Sequence, residues 1–200
     1  MKGFTLWFTG LPCSGKSTLA ERVLGILLER GMYAELLDGD EVRQNLGKGL
    51  GFSKEDRDTN IRRIGYVCKL LSRNGVAAIA AAISPYRAIR EENRNAIEKY
   101  VEIYVKAPVE ALVERDIKGM YKKAIAGEIK NFTGISDPYE EPENPEILIE
   151  SDKETVEEST DKIIRTLELM GLVPGAPAES EYSKEEEEKI KARLKDLGYL

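Results

Sequence analysis

Gly10-Leu11-Pro12-Cys13-Ser14-Gly15-Lys16-Ser17-Thr18 follows directly on the apolar run Phe4-Thr5-Leu6-Trp7-Phe8. The stretch spells G-x-x-x-x-G-K-[ST]. In that arrangement the backbone N–H groups of a glycine-rich turn wrap a polyphosphate and the next helix aims its positive end at the anion; Lys16 neutralises the terminal phosphates and Ser17 can hold Mg²⁺. Context separates this reading from a chance Gly-rich turn, because a strand precedes the loop and Thr18 to Glu29 carries apolar residues at helical spacing. Strand, phosphate loop and helix are therefore expected here, with residues 10–18 binding a nucleoside triphosphate.

Outward from the loop, strand-like runs recur at Phe4 to Thr9, Ala34 to Leu37, Val76 to Ile83, Val101 to Val105 and Ile147 to Ile149. Each of the first four leads toward a segment of helical periodicity, the βα rhythm of a parallel sheet covered on both faces. The expected fold is α/β: a three-layer phosphate-loop NTPase sheet flanked by helices. Gly31 and Gly75, each just before a strand, suit helix C-caps. Ligands of such sheets sit at the carboxyl ends of strands, which singles out Gly10 to Ser17, Asp38 to Asp40 and Ser84 to Arg87.

Composition sets outer bounds. Two hundred residues with 42% apolar and 33% charged side chains suit one enzyme domain. A formal net charge of -6 with no dominant basic stripe argues against broad nucleic-acid binding. The chain has no histidine and only two cysteines, Cys13 and Cys68, outside any C-x-x-C pair, so a usual zinc site and an imidazole base are both excluded. No basic-then-apolar leader precedes Phe4 and no run of about eighteen apolar residues occurs, which points to a cytoplasmic setting without a membrane partner.

Three further stretches carry candidate chemistry. Leu37-Asp38-Gly39-Asp40 offers two carboxylates: one to help hold Mg²⁺, the other to orient or deprotonate an acceptor hydroxyl. Asp40 is also placed to cap the helix that starts at Glu41. On a helix starting near Ser53, Arg57 and Asn60 share a face suited to an anionic, base-containing ligand, beside an apolar stripe of Ile61, Ile64, Cys68 and Leu71. Phe52 is either a stacking platform or a core residue. Ser84, at the end of the third strand, either hydrogen-bonds an acceptor or takes the phosphoryl group itself.

Lys118 to Pro145 breaks the βα rhythm and reads either as a mobile lid or as a solvated insertion. Beyond Val173-Pro174-Gly175 a linker leads to a charged segment in which Ser183 and Glu186 have capping-box spacing. Its apolar positions Ile190, Leu194, Leu197, Tyr199 and Leu200 either dock or fray.

Taken together and in order, the phosphate loop, L-D-G-D, G-F-S-x-x-D-R-x-x-N-I-R-R, I-S-P-Y-R, K-G-x-Y-K-K-A and F-T-G-I-S-D-P-Y-E make the chain resemble the adenylylsulfate kinase family over about residues 3 to 172. The resemblance implies phosphorylation of the ribose 3′-hydroxyl of adenosine 5′-phosphosulfate by ATP with Mg²⁺. It implies catalytic roles for Lys16, Asp38 and Ser84, the last sometimes described as a phosphoserine intermediate; no histidine is present to activate such a nucleophile, which favours direct transfer. By the same resemblance Asp38, Asp40, Arg43, Phe52, Arg57, Asn60, Ile83, Ser84 and Phe132 bind the acceptor, with Phe132 stacking on its adenine opposite Phe52. Ser17 and Asp40 fall in the metal shell, and Arg115 packs on the ATP adenine. Residues 1–175 would form the kinase domain with a lid over about 118–145, and 176–200 a linker and short helix.

A homodimer and an association with sulfate adenylyltransferase also follow from the family. Cys13 departs from the small residue common at its place; its backbone N–H would serve equally well, and a thiol at a helix N-terminus could have a lowered pKa and be oxidisable. Rival readings are a phosphate-loop kinase for a nucleoside monophosphate, gluconate or shikimate, and a non-catalytic nucleotide sensor.

Overall fold

A computed structural model describes residues 3–116, 118–175 and 184–199 of the chain. Five strands, β1 (Phe4–Thr9), β2 (Ala34–Asp38), β3 (Ala77–Ala81), β4 (Tyr100–Lys106) and β5 (Ile147–Glu150), form one parallel sheet in the order β2-β3-β1-β4-β5. The chain starts at the centre, runs to one edge and back through β3, then crosses to the other side with β4. That reversal beside β1 opens the crevice in which ligands of such sheets bind.

Side chains alternate across β1 with a period of two. Phe4, Leu6 and Phe8 pack on one face with Leu19, Val23 and Leu27 of α1 (Lys16–Glu29) and with Ile163, Ile164 and Leu167 of α7 (Val156–Leu169). Trp7 points to the other face, where Ile61, Ile64 and Cys68 of α3 (Lys54–Arg73) and Ile89 of α4 (Arg87–Ala96) cover it. Gly65 lets α3 and α4 come together, since a Cβ there would meet the Asn93 side chain at 2.1 Å. The remaining described elements are α2 (Gly39–Asn45), α5 (Val109–Glu114), α6 (Met120–Ile125) and α8 (Lys184–Asp196).

Helix ends follow their sequence signals. Ser53 caps α3 by accepting from the Asp56 N–H, worth about 1 kcal/mol. Thr155 and Glu158 form a reciprocal capping box on α7. Gly31 and Gly75 take the left-handed conformation after α1 and α3, with φ of 74° and 87°. The expected third strand is longer than the observed one. Ser84, at φ 48°, turns the chain away, and Pro85 has no N–H to offer the ladder.

Residues 118–145 hold ordered structure: α6, a bridge between Thr133 and Asp137, and Tyr121, Ala124 and Phe132, which form a small core with Leu112 of α5, packed against Leu11. Across the molecule α8 docks on the body, with Leu194 fully buried. The expected Ser183–Glu186 capping box lies outside the described residues, as does Leu200. Among the described residues no helix is long and apolar enough to cross a membrane.

Candidate active site

The loop at the end of β1 is shaped by its backbone. Gly10 (φ 149°) and Gly15 (φ 98°) lie where side chains are disfavoured, and a Cβ on Gly10 would meet the Val105 carbonyl oxygen at 2.3 Å. Gly15 precedes α1, whose first turn carries no acidic residue, whereas α2, α3 and α7 all have acids there. The dipole of α1 is thus left for an anion from outside the helix.

Lys16 is buried at the start of α1, and its ammonium donates to the Leu11 carbonyl at 2.7 Å and reaches Ser14 Oγ at 3.4 Å, folded over the loop. Burial pulls its pKa down to about 8, against the opposing pull of Cys13, Asp38 and Asp40.

Cys13 is exposed and takes φ 61°. Its thiol pKa is raised by burial of the sulfur and by Asp116, against the pull of Lys16 and Lys118. The lowering expected from the helix N-terminus is overturned: desolvation and the nearby carboxylate outweigh the cations.

Beside the loop stands the carboxylate pair. Ser17 Oγ donates to Asp38 Oδ2 at 2.6 Å, and Asp38 Oδ1 accepts from the Asp40 N–H at 2.9 Å. Asp38, and not Asp40, is therefore the N-cap of α2: the helix begins two residues earlier than expected, and Asp40 falls in its first turn. The Asp40 carboxylate instead meets Lys118 Nζ at 3.1 Å, with both side chains largely exposed.

A second set of side chains gathers on the far side of β3's end. Phe52 is 56% exposed, which excludes the core alternative, and carries the Arg43 guanidinium 4.3 Å above its ring. Arg57 is buried and works as a clasp: Nε donates to the Phe52 carbonyl at 3.0 Å, one terminal nitrogen to Thr133 Oγ1 at 2.7 Å and the other to the Asn131 carbonyl, while Asp137 lies 3.5 Å away. It joins the segments that carry Phe52 and Phe132. One turn further along α3, Asn60 is buried with no hydrogen-bond partner for Oδ1 among the described residues. An orphan acceptor of this kind suits a donor arriving with a ligand.

Phe132 is only 6% exposed and meets Tyr121 edge-on at 4.9 Å, and Tyr121 in turn donates its hydroxyl to the Pro12 carbonyl at 3.0 Å. The aromatic pair is thereby tied to the phosphate loop.

Between the two sets lies Ser84, 1% exposed, its Oγ accepting from Trp7 Nε1 at 3.1 Å and its carbonyl from Arg90 at 2.5 Å. The Ile83 carbonyl accepts from Thr9 Oγ1 at 2.7 Å. Arg115 donates to the Ser151 hydroxyl and carbonyl at 3.1 and 2.8 Å.

Trp7, Thr9, Lys118 and Tyr121 were not singled out as site residues from sequence. The period-two alternation of β1 was the usable signal for the first two, since it puts Trp7 and Thr9 on the face of Ser84.

The donor set fits Mg²⁺ with a nucleotide: a hydroxyl and a carboxylate in mutual contact, next to a buried lysine and a loop too tight for a Cβ. A second set, beyond the end of β3, holds arginines and an orphan amide oxygen, groups suited to an anionic, base-containing acceptor. That pairing defines the class, a phosphate-loop kinase for a small acceptor.

Comparison with known proteins narrows the class. The family model for adenylylsulphate kinase matches residues 2–150. The Adenylyl-sulfate kinase of Rippkaea orientalis is 59% identical over 172 residues, covering 86% of this chain and 95% of that protein. The Probable bifunctional SAT/APS kinase 2 of Sorangium cellulosum is 61% identical over 174 residues, 87% of this chain but 30% of that longer protein. The structure of the Mycobacterium tuberculosis APS kinase CysC in complex with AMPPNP and APS superposes with a TM-score of 0.80 at 41% identity, covering 84% of this chain and 98% of that one.

The chain belongs to the adenylylsulfate kinase family. Its reaction is the ATP-dependent phosphorylation of the 3′-hydroxyl of adenosine 5′-phosphosulfate, with Mg²⁺ as the metal partner, giving 3′-phosphoadenosine 5′-phosphosulfate and ADP.

Proposed function

We propose that the phosphoryl group passes directly from ATP to the acceptor hydroxyl, with the two residue sets dividing the work. Residues 10–18 hold the ATP phosphates and Lys16 offsets the charge that builds on the moving group. Contact with Ser17 supports placing Asp38 on the metal side, where Mg²⁺ neutralises phosphate charge. Asp40, turned outward on the first turn of α2, is then the carboxylate to orient or deprotonate the 3′-hydroxyl once it exchanges its exposed pairing with Lys118 for the acceptor. This exchanges the roles that the resemblance implied for the two acids.

Arg43, Arg57 and Asn60 bind the acceptor's anionic groups and base, the exposed Phe52 stacks on its adenine, and Phe132 reaches the other face once its packing against Tyr121 opens. Ile83 and Ser84 line the gap between donor and acceptor. Residues 118–145 act as the lid that keeps water from the γ-phosphate, and Arg115 borders the ATP adenine.

The observation that carries direct transfer is the state of Ser84. Its hydroxyl is buried against Trp7 Nε1–H, and its described contacts include no carboxylate to take its proton. A phosphoserine would need that base and a second in-line geometry.

Acid quench of enzyme mixed with γ-labelled ATP and no acceptor tests this. No label on the protein is expected; label on Ser84 that chases into product would establish the covalent route.

Cys13 and Cys68 are free thiols, which supports a reducing, cytoplasmic setting. The fused Sorangium relative supports association with a sulfate adenylyltransferase. Sedimentation of the purified chain, alone and with that enzyme, reads this and the proposed homodimer together.

A further inference from the structure

Residues 184–199 lie beyond the stretch the family model matches, yet they reach a network that ends at Ser84. Leu194 of α8 is fully buried, and Arg193 donates to the Pro145 carbonyl at 2.8 Å. The Tyr199 hydroxyl lies within hydrogen-bond distance of two acceptors, Glu146 Oε1 at 3.1 Å and the Tyr100 carbonyl at 3.4 Å.

From each of those acceptors a path leads inward. Glu146 is buried; it pairs with Arg94 at 2.6 Å and accepts the Glu102 N–H at 2.6 Å. Glu102 pairs with Arg90 at 3.1 Å, and Arg90 donates to the Ser84 carbonyl and, at 2.6 Å, to the Glu140 carbonyl. By the second path Tyr100 stacks on Trp7 with ring centroids 5.8 Å apart, and Trp7 donates to Ser84 Oγ. Both paths converge on a residue held at φ 48°.

We propose that the C-terminal segment is a positioning element of the active site: docked α8 and Tyr199 set the buried Arg94–Glu146–Glu102–Arg90 network, which holds the Ser84 turn in the shape that receives the acceptor. Paired charges of this kind admit few arrangements, because Glu102 and Glu146 are almost wholly buried and a carboxylate left without its arginine would be uncompensated there. Strain at Ser84 makes the turn the element that relaxes when the network loosens. Glu140, the last residue of the F-T-G-I-S-D-P-Y-E stretch, is gripped by the same arginine, so the returning end of residues 118–145 is held along with it. The proposal rests on placing Ser84 at the acceptor site, and the experiment separates the two.

Two variants of the full chain suffice. Leu194→Asp puts a carboxylate into a fully buried place and undocks α8; Tyr199→Phe keeps the packing and removes the hydroxyl. Trp7 is the only tryptophan in the chain, so its emission reports the contact with Ser84 Oγ.

For Leu194→Asp the KM for adenosine 5′-phosphosulfate should rise about threefold to tenfold, with the ATP KM changed by less than about twofold and Trp7 emission shifted. Tyr199→Phe should move the same quantities in the same direction by less. Unchanged acceptor KM and unchanged emission in Leu194→Asp would overturn the proposal, and so would a parallel loss in both KM values and in thermal stability, which marks a mere anchor. If Ser84→Ala leaves acceptor KM unaltered, the acceptor assignment of Ser84 fails and Trp7 emission alone decides whether the tail sets the turn.

Discussion

Lys16 finds its hydrogen-bond partners two and five residues away in one contiguous loop, whereas Arg57 reaches 76 positions along the chain to Thr133 for one of its own. On the proposed donor side, backbone φ angles and the packing of α1 against the sheet fix the groups assigned to phosphate. On the acceptor side, side chains from α2, α3, the end of β3 and residues 131–137 must be brought together, and buried arginines do the joining. A loop of the first kind is preorganised before any ligand arrives. A site of the second kind gains its shape from tertiary contacts, so damage to it should show in acceptor binding more than in phosphate chemistry.

The largest expected effect strikes the donor side. Lys16→Met should lower kcat by about 10³-fold, the scale of losing a preorganised charge at the transition state. The same substitution should raise stability at pH 7. The folded-state pKa of Lys16 is depressed to about 8, so below that pH the fold carries a buried ammonium that the unfolded chain keeps in water. Between about pH 8 and the unperturbed value near 10.4 the unfolded chain binds more protons, and wild-type stability rises with pH. Removing the charge at pH 7 should therefore lift Tm by about 2–4 °C per kcal/mol recovered. A melting curve unmoved or lowered would show that burial does not strain this lysine.

Next in size is the pH profile of the donor step. As free enzyme deprotonates Lys16, kcat/KM for ATP should fall above about pH 8, approaching tenfold per pH unit, because that parameter reports groups of the unliganded enzyme. A profile flat to about pH 10 would remove Lys16 as the titrating group.

Smaller still is Ser84→Ala. With direct transfer it should slow turnover by only about twofold to fivefold, the cost of one lost hydrogen bond near the acceptor. Complete loss with intact folding and substrate binding would restore the phosphoserine route and dissolve the division between donor and acceptor residues.

The same contrast explains what was legible in the sequence. Phosphate-loop residues are contiguous, and Gly10 and Gly15 stand where φ favours glycine, so their letters specify the place of the loop. Strands were read closely because parallel strands buried on both faces are continuous apolar runs. β3 ends at Ala81, opposite the last residue of β2, and the positive φ of Ser84 three residues on is not announced by a single serine. α7 carried a readable signal in the T-x-x-E spelling at Thr155 and Glu158.

Arg57 could be placed on a face of α3 from spacing alone, but its partners Asn131 and Thr133 are set by topology, which local spacing does not encode. The Asp38 and Asp40 pair shows the same limit. Either acid can cap a helix, and only tertiary contacts distinguish their surroundings: Asp38 meets Ser17 and Asp40 meets Lys118. For Cys13 a helix dipole is visible in sequence, while the burial that chiefly raises its pKa, and Asp116 on a distant segment that adds to it, are set by the fold.

The measurement that bears most directly on this division is a full initial-rate analysis of Arg57→Ala in both substrates. Loss of a buried guanidinium that organises the acceptor side should raise the KM for adenosine 5′-phosphosulfate by about 10- to 100-fold and leave the ATP KM within about twofold. An ATP KM that rises in step, or an acceptor KM that does not move, would contradict it.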